Sequence, residues 1–140
     1  MAGADEDAVR LASASFYEAF ESLDLTRMGK VWAHDERVVC VHPGRERAVG
    51  WAAVRATWED VFANTLQITF EVSEVALHVS SDLAAMSVTE NLRSLSPGGG
   101  GVVGQVLAVN LFARREGVWR LIAHHASPLR RSSTQDAAVH

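Results

Sequence analysis

The sequence predicts an α+β domain: N-terminal helices packed on one face of a curved antiparallel sheet, with a pocket between them. Three observations carry this. Up to about residue 63 the apolar residues recur at three- and four-residue steps, the period of a helix face; beyond about residue 66 they alternate, the period of a strand face. The helices precede the strands as a block, the order in which helices cover one face of a sheet. With 140 residues, 48% hydrophobic and 21% charged, the chain suits one domain with a real core. We expect a single domain over 1–128 and a flexible polar tail over 129–140.

Taken in order, Val9, Ala12, Phe16, Ala19, Phe20 and Leu23 form one apolar stripe, which predicts a first helix over roughly 6–23. Asp5 and Asp7 place acid near its N-terminus, where the helix dipole favours it. A short helix follows in "DLTRMGKVWA", capped by Asp24, with Leu25, Met28 and Trp32 on its inner side. "RVVCVHPGRERAVGW" reads as strand, turn and short return strand. Trp51, Val54, Trp58 and Phe62 then predict a third helix over about 51–63. In "LQITFEVSEVALHVS" the alternation slips by one near Ser73 and Glu74, which predicts a bulge in a long curved strand. "DLAAMSVTENLRS", "GVVGQVLAVNLFARR" and "GVWRLIAHHAS" are three more strands, the last two joined by a tight turn at "REG".

The strand over 102–112 is apolar on both faces. Val102, Val106, Ala108 and Phe112 share one face; Val103, Leu107, Val109 and Leu111 share the other. A sheet with one wet face alternates more cleanly, so the second face is expected to meet another copy of the chain in a homodimer.

Composition excludes several classes. The net charge is −4 and no long basic run occurs, so nucleic acid is not an expected partner. No stretch of some 18 apolar residues appears, and no membrane span is expected. The opening "MAGADEDAVR" is acidic and lacks an apolar signal region, so a cytoplasmic location is expected. Cys40 is the one cysteine, which removes intramolecular disulfides and multi-cysteine zinc sites. No recognised metal-ligand spacing, dinucleotide fingerprint or P-loop occurs, and neither metal nor cofactor is expected.

The candidate chemistry lies in polar groups set among apolar neighbours. Glu90 shares strand parity with Ala84, Met86, Val88 and Leu92, and a carboxylate on such a face is desolvated toward a pKa useful for proton transfer. The plainer reading is a glutamate near a strand end that reaches solvent or an arginine. Asn110, among Val106, Ala108 and Phe112, either orients a ligand or satisfies backbone. His42 ends the first strand before Pro43, where it is a ligand donor or a turn residue. In "VWRLIAHHASP" the adjacent His124 and His125 must face opposite ways. Parity sets His125 with Trp119, Leu121 and Ala123, which favours His125 for the pocket, with His124 the alternative. Tyr17, Trp32 and Trp58 are core aromatics by spacing and candidates for the pocket lining.

Three stretches, "FYEAFESLDLTRMGKVWAHDERVVCVHPG", "VGWAAVRATWEDVF" and "NLFARREGVWRLIAHHAS", carry a family resemblance. The chain resembles the nuclear transport factor 2-like superfamily, and within it the SnoaL-like and ketosteroid-isomerase-like bacterial proteins. Its last hairpin is similar to the end of the calcium/calmodulin-dependent kinase II association domain. The resemblance implies a conical, usually dimeric fold whose members include isomerases, polyketide cyclases, dehydratases and non-catalytic assembly modules. The isomerases' aspartate base and Tyr–Asp oxyanion pair have no one-for-one match, since the long strands carry Glu90 and Asn110 and Asp82 falls at an expected turn. Two readings follow. One is an isomerase, cyclase or dehydratase that moves a proton on a small apolar metabolite, with Glu90 or a histidine as proton carrier and Asn110 and Tyr17 positioning the ligand. The other is a non-catalytic dimeric binding or association module.

Overall fold

A computed structural model of the chain describes residues 2–129; the expected tail lies outside the described residues apart from Leu129, whose amide donates to the Gln105 carbonyl at 3.0 Å. Three helices, α1 (Ala2–Ser22), α2 (Leu25–Val31) and α3 (Trp51–Ala63), pack on a curved, unclosed sheet. Its strands are β1 (Val39–Val41), β2 (Ala48–Val49), β3 (Gln67–Val79), β4 (Leu83–Leu95), β5 (Gly101–Arg115) and β6 (Val118–Pro128). Their spatial order is β2-β1-β6-β5-β4-β3. This is the expected α+β cone, with one refinement. The four long strands are antiparallel, but β1 runs parallel to β6, with Cys40 beside His124 and Val41 beside His125, so the sheet is mixed.

Local chemistry sets these elements. Asp24 caps α2: its Oδ1 accepts from the amides of Thr26 at 2.9 Å and Arg27 at 3.3 Å. The "REG" turn places Glu116 and Gly117 both at positive φ, as the two-residue turn that matches strand twist demands. Val9, Phe16 and Phe20 of α1 and Val54 and Trp58 of α3 are buried against Ile68, Met86, Val88, Phe112 and Leu121 of the sheet. Among the described residues no helix is long and apolar enough to cross a membrane.

Two bulges shape the long strands. The register of β3 against β4 shifts between Glu74 and Ala76, so Val75 is the extra residue, next to the slip read from the sequence. A second shift, not visible in the apolar pattern, lies where Leu111 pairs with Ala123 but Phe112 pairs with Leu121. Ile122 is therefore the extra residue in β6, and the in–out alternation reverses across it. The inner side of β5 is buried through Val106, Ala108 and Phe112, while Val103, Leu107 and Val109 face outward and are 63%, 44% and 43% exposed.

Asp24→Ala should lower the unfolding free energy by about 1 kcal/mol in a urea titration, because two α2 amides lose their acceptor. An unchanged midpoint would show that water replaces the cap without loss.

Candidate functional site

Four side chains from four elements meet inside the cone. Tyr17, beside the inner stripe of α1, donates its hydroxyl to Glu90 Oε2 on β4 at 2.6 Å. Asn110 on β5 donates from Nδ2 to the Tyr17 oxygen at 3.0 Å. His124 on β6 lies with Nδ1 at 2.5 Å from Asn110 Oδ1. The pairings follow from register: Asn110 is the cross-strand partner of His124, and Glu90 is paired with Val106 on the same inner face. Glu90 and His124 are 3% and 1% exposed, and Asn110 is wholly buried.

Donor arithmetic fixes the hydrogens. Asn110 uses its amide nitrogen on Tyr17, so its oxygen faces His124, and His124 Nδ1 must carry the proton. Every hydrogen in the chain then points the same way: His124 to Asn110, Asn110 to Tyr17, Tyr17 to Glu90. Glu90 is the terminal acceptor, and Tyr17 is its one hydrogen-bond partner among the described residues.

Burial governs the protonation states. It pushes the Glu90 carboxyl up to about 7, opposed only by the Tyr17 hydrogen bond. Burial first, then the Glu90 charge, raises the Tyr17 hydroxyl well above the usual phenol range, so it stays a donor. His124 is pushed down to about 3 by burial and by neighbouring His42 and His125. His42 falls to about 4 through burial and Arg45, against a smaller opposite pull from Asp60. Both rings are neutral at physiological pH.

A second polar group adjoins this chain. Thr57 gives its hydroxyl hydrogen to the Val54 carbonyl at 2.6 Å, so it accepts from His42 Nε2, 3.0 Å away. Cys40 Sγ lies 3.5 Å from the same nitrogen, and burial pushes its thiol up to about 12. The His42 ring centroid is 6.2 Å from that of His124 and 4.6 Å from that of Trp58. Neither Thr57 nor Cys40 was legible as a site residue. A threonine inside a helix and a cysteine in a short apolar strand carry no pattern that separates them from ordinary core.

The structure brings together Tyr17, Glu90, Asn110, His124, His42 and Trp58, and leaves out two expected residues. His125 is exposed on the outer face, because the Ile122 bulge reverses the parity that placed it inward; His124 takes the inner position. Trp32 packs on Trp51 and Trp58 at the end of α2, away from Glu90. Aromatic rings fill the concavity that was expected to be a pocket: Phe16 touches Tyr17, Trp58 and His124 ring to ring. Open space reaches the cluster at Tyr17 rather than at Glu90, through a groove of about 370 Å³ between α1 and β3–β4 whose walls combine Phe70, Val72, Met86 and Val88 with the charged Arg10, Glu18, Glu21 and Glu74. The indole N–H of Trp58 is buried with no acceptor among the described residues. No group of three or more His, Cys, Asp or Glu among those residues is arranged to hold a metal.

Residues 9–131 match the family model of the SnoaL-like domain. The chain belongs to the SnoaL-like family. A Streptomyces avermitilis protein of the NTF2-like family, whose name proposes a dehydratase, is 33% identical, with 91% of this chain and 97% of that one covered at a TM-score of 0.84. A Thiobacillus denitrificans protein, whose name proposes a calcium/calmodulin-dependent protein kinase type II association domain, is 34% identical, with 85% and 93% covered at a TM-score of 0.76. The F-box protein SKIP8 of Arabidopsis thaliana is 23% identical over 120 residues. That alignment takes in 86% of this SnoaL-like chain, which spans about half (49%) of the plant protein.

The Glu90 shift has a thermodynamic signature. A carboxyl near 7 in the fold and near its ordinary 4.5 when unfolded keeps its proton in the native state across that window. Its contribution to stability is present below 4.5 and is lost as pH rises through 7. Glu90→Gln cannot ionise, so its stability relative to the parent should grow between about pH 5 and about pH 8, by up to about 3 kcal/mol. Parallel urea stabilities across that range would mean that Glu90 titrates normally.

Proposed function

We propose that this SnoaL-like protein catalyses proton transfer on a small, largely apolar metabolite, in the class of isomerases, cyclases and dehydratases. The observation that carries the reading is the Glu90 carboxyl: buried, held by Tyr17 at 2.6 Å, and poised at about 7. A group with that pKa is populated in both protonation states at physiological pH, the condition under which general acid–base catalysis is most efficient. Oε2 is committed to Tyr17, which leaves Oε1 for the ligand proton. When Glu90 takes a proton, its negative charge is neutralised and the Tyr17 hydrogen bond weakens; when it gives one up, that bond strengthens and stabilises the carboxylate. Asn110 and His124 hold the phenol hydrogen on the Glu90 side throughout. The groove beside Tyr17, whose walls combine Phe70, Val72, Met86 and Val88 with the charged Arg10, Glu18, Glu21 and Glu74, is the approach for the ligand.

Mass spectrometry of molecules co-purifying with the protein is the route to the substrate. With it in hand, Glu90→Gln should cut kcat at least roughly tenfold, and the parent's pH dependence near 7 should vanish in the variant. A parent rate that rises through 7 marks Glu90 as a base; one that falls marks an acid. Turnover of Glu90→Gln within about a factor of ten of the parent would contradict the assignment.

A second reading, a non-catalytic dimeric binding or association module, is favoured by the outer face of β5. Val103, Leu107 and Val109 stand exposed there, with Gln105 between the first two on the same face. The occupant we propose for this face is a second copy of the chain, in either reading. Such a stripe at the centre of a sheet is self-complementary about a two-fold axis, as a symmetric dimer requires. Sedimentation should give a dimer at micromolar concentration and a monomer for Leu107→Arg. A monomeric parent would contradict the dimer.

A further inference from the structure

A second cleft opens at the other functional pole of the molecule, between the end of α2 and the β5–β6 hairpin. It encloses about 460 Å³, and its walls include Lys30, Trp32, His34, Arg115, Val118 and Arg120. None of Tyr17, Glu90, Asn110 or His124 lines it, so it is separate from the buried cluster.

Its charge is the feature to explain. The chain carries a net −4, yet no described residue lining this cleft is acidic, while three are cationic and come from three different elements, α2, β5 and β6. Lys30, the one lysine of the sequence, and Arg120 have no carboxylate partner among the described residues. Arg115 is held by Asp35 at 2.6 Å, which fixes its direction. The end of α2 offers a simpler use for some of these groups, since exposed carbonyls favour cations. That use is already filled: His34 Nε2 donates to the Gly29 carbonyl at 2.6 Å, and Arg120 reaches the Lys30 carbonyl only through Nε, at 3.4 Å. Among the described residues, the outer guanidinium nitrogens of Arg120 and the Lys30 ammonium have no acceptor.

The rest of the wall is aromatic or small and, apart from the His34 ring, apolar. Trp32 is buried, and its indole N–H has no acceptor among the described residues. The His34 ring stacks on Trp51, with centroids 4.3 Å apart and planes 6° from parallel. Ala33 and Ala113 keep the floor shallow, and Val118 is exposed at the hairpin edge. Cations around an aromatic, small-residue floor match one chemical class of ligand: an anionic group on a flat apolar body.

We propose that this cleft binds a small organic anion, a carboxylate or a phosphate monoester, with Lys30 and Arg120 on the charge and Arg115 supporting it. Guanidinium and ammonium groups form charge-assisted hydrogen bonds with either oxyanion, and the cleft is large enough for one ring-sized body.

Calorimetry and two-dimensional NMR of the full chain test this with three probes of like shape: phenyl phosphate, benzoate and uncharged benzyl alcohol. At least one anion should bind, with shifts confined to the neighbourhoods of 29–34 and 113–120, and benzyl alcohol should not. Whichever anion binds more tightly assigns the headgroup. The doubly substituted Lys30→Ala, Arg120→Ala protein should weaken binding roughly tenfold or more, and added salt should weaken the parent's binding. Both positions are exposed, so folding is not at stake. The proposal is overturned if neither anion binds, if the double variant binds as tightly as the parent, or if inorganic phosphate binds as well as phenyl phosphate. Glu90→Gln should leave this binding unchanged, which separates it from the proton-transfer reading.

Discussion

A carboxyl group carried into the interior of a cone is the constraint around which the rest of this domain is arranged. Left alone, an ionised Glu90 among Val88, Val106 and Met86 would cost several kcal/mol of lost hydration. The fold answers with one directional chain of donors rather than with an opposite charge. His124, Asn110 and Tyr17 pass hydrogens toward Glu90 in sequence. Each member is then satisfied by the next, and burial against donation leaves the carboxyl near neutrality. Removing any link strands a buried donor or acceptor, a larger loss than the bond itself. The aromatic packing of Phe16 and Trp58 around His124 has the same consequence, since it excludes the water that would otherwise solvate the chain.

Three separate features of the backbone must agree for this chain to close. The helical stripe of α1 has to bring Tyr17 inward, the β4–β5 register has to set Glu90 and Asn110 on one face, and β6 has to turn His124 toward them. The last depends on a single extra residue, Ile122. Without that bulge, strict alternation would turn His125 inward and His124 out to the sheet's outer surface. The parallel addition of β1 beside β6 then brings Cys40 level with His124 and His42 within ring contact of it.

Much of this was legible in the sequence, and the part that was not has a physical cause. Helical spacing gave α1, α2 and α3 and placed Tyr17 and Trp58 inside. Alternation gave the four long strands and set Glu90 and Asn110 among buried neighbours. The β3 bulge was visible because it interrupts a run of large apolar side chains on both sides. The β6 bulge was not, because Leu121, Ile122 and Ala123 are all apolar and any parity fits them. The inward placement of His125 followed from that degeneracy. The parallel β1–β6 pairing and the Thr57 contact to His42 are long-range facts that no local pattern encodes. Nor does pattern show how completely the aromatics fill the concavity, which depends on rotamers rather than on spacing.

The central claim is that the buried chain holds Glu90 at the edge of ionisation near neutral pH. Carbon-detected NMR of the carboxyl groups, with Glu90 assigned by its Gln variant, measures this directly. A titration midpoint near 7 is expected. It should move higher in Tyr17→Phe, because the phenol donor favours the carboxylate. A midpoint near the ordinary 4.5 in the parent would contradict the account.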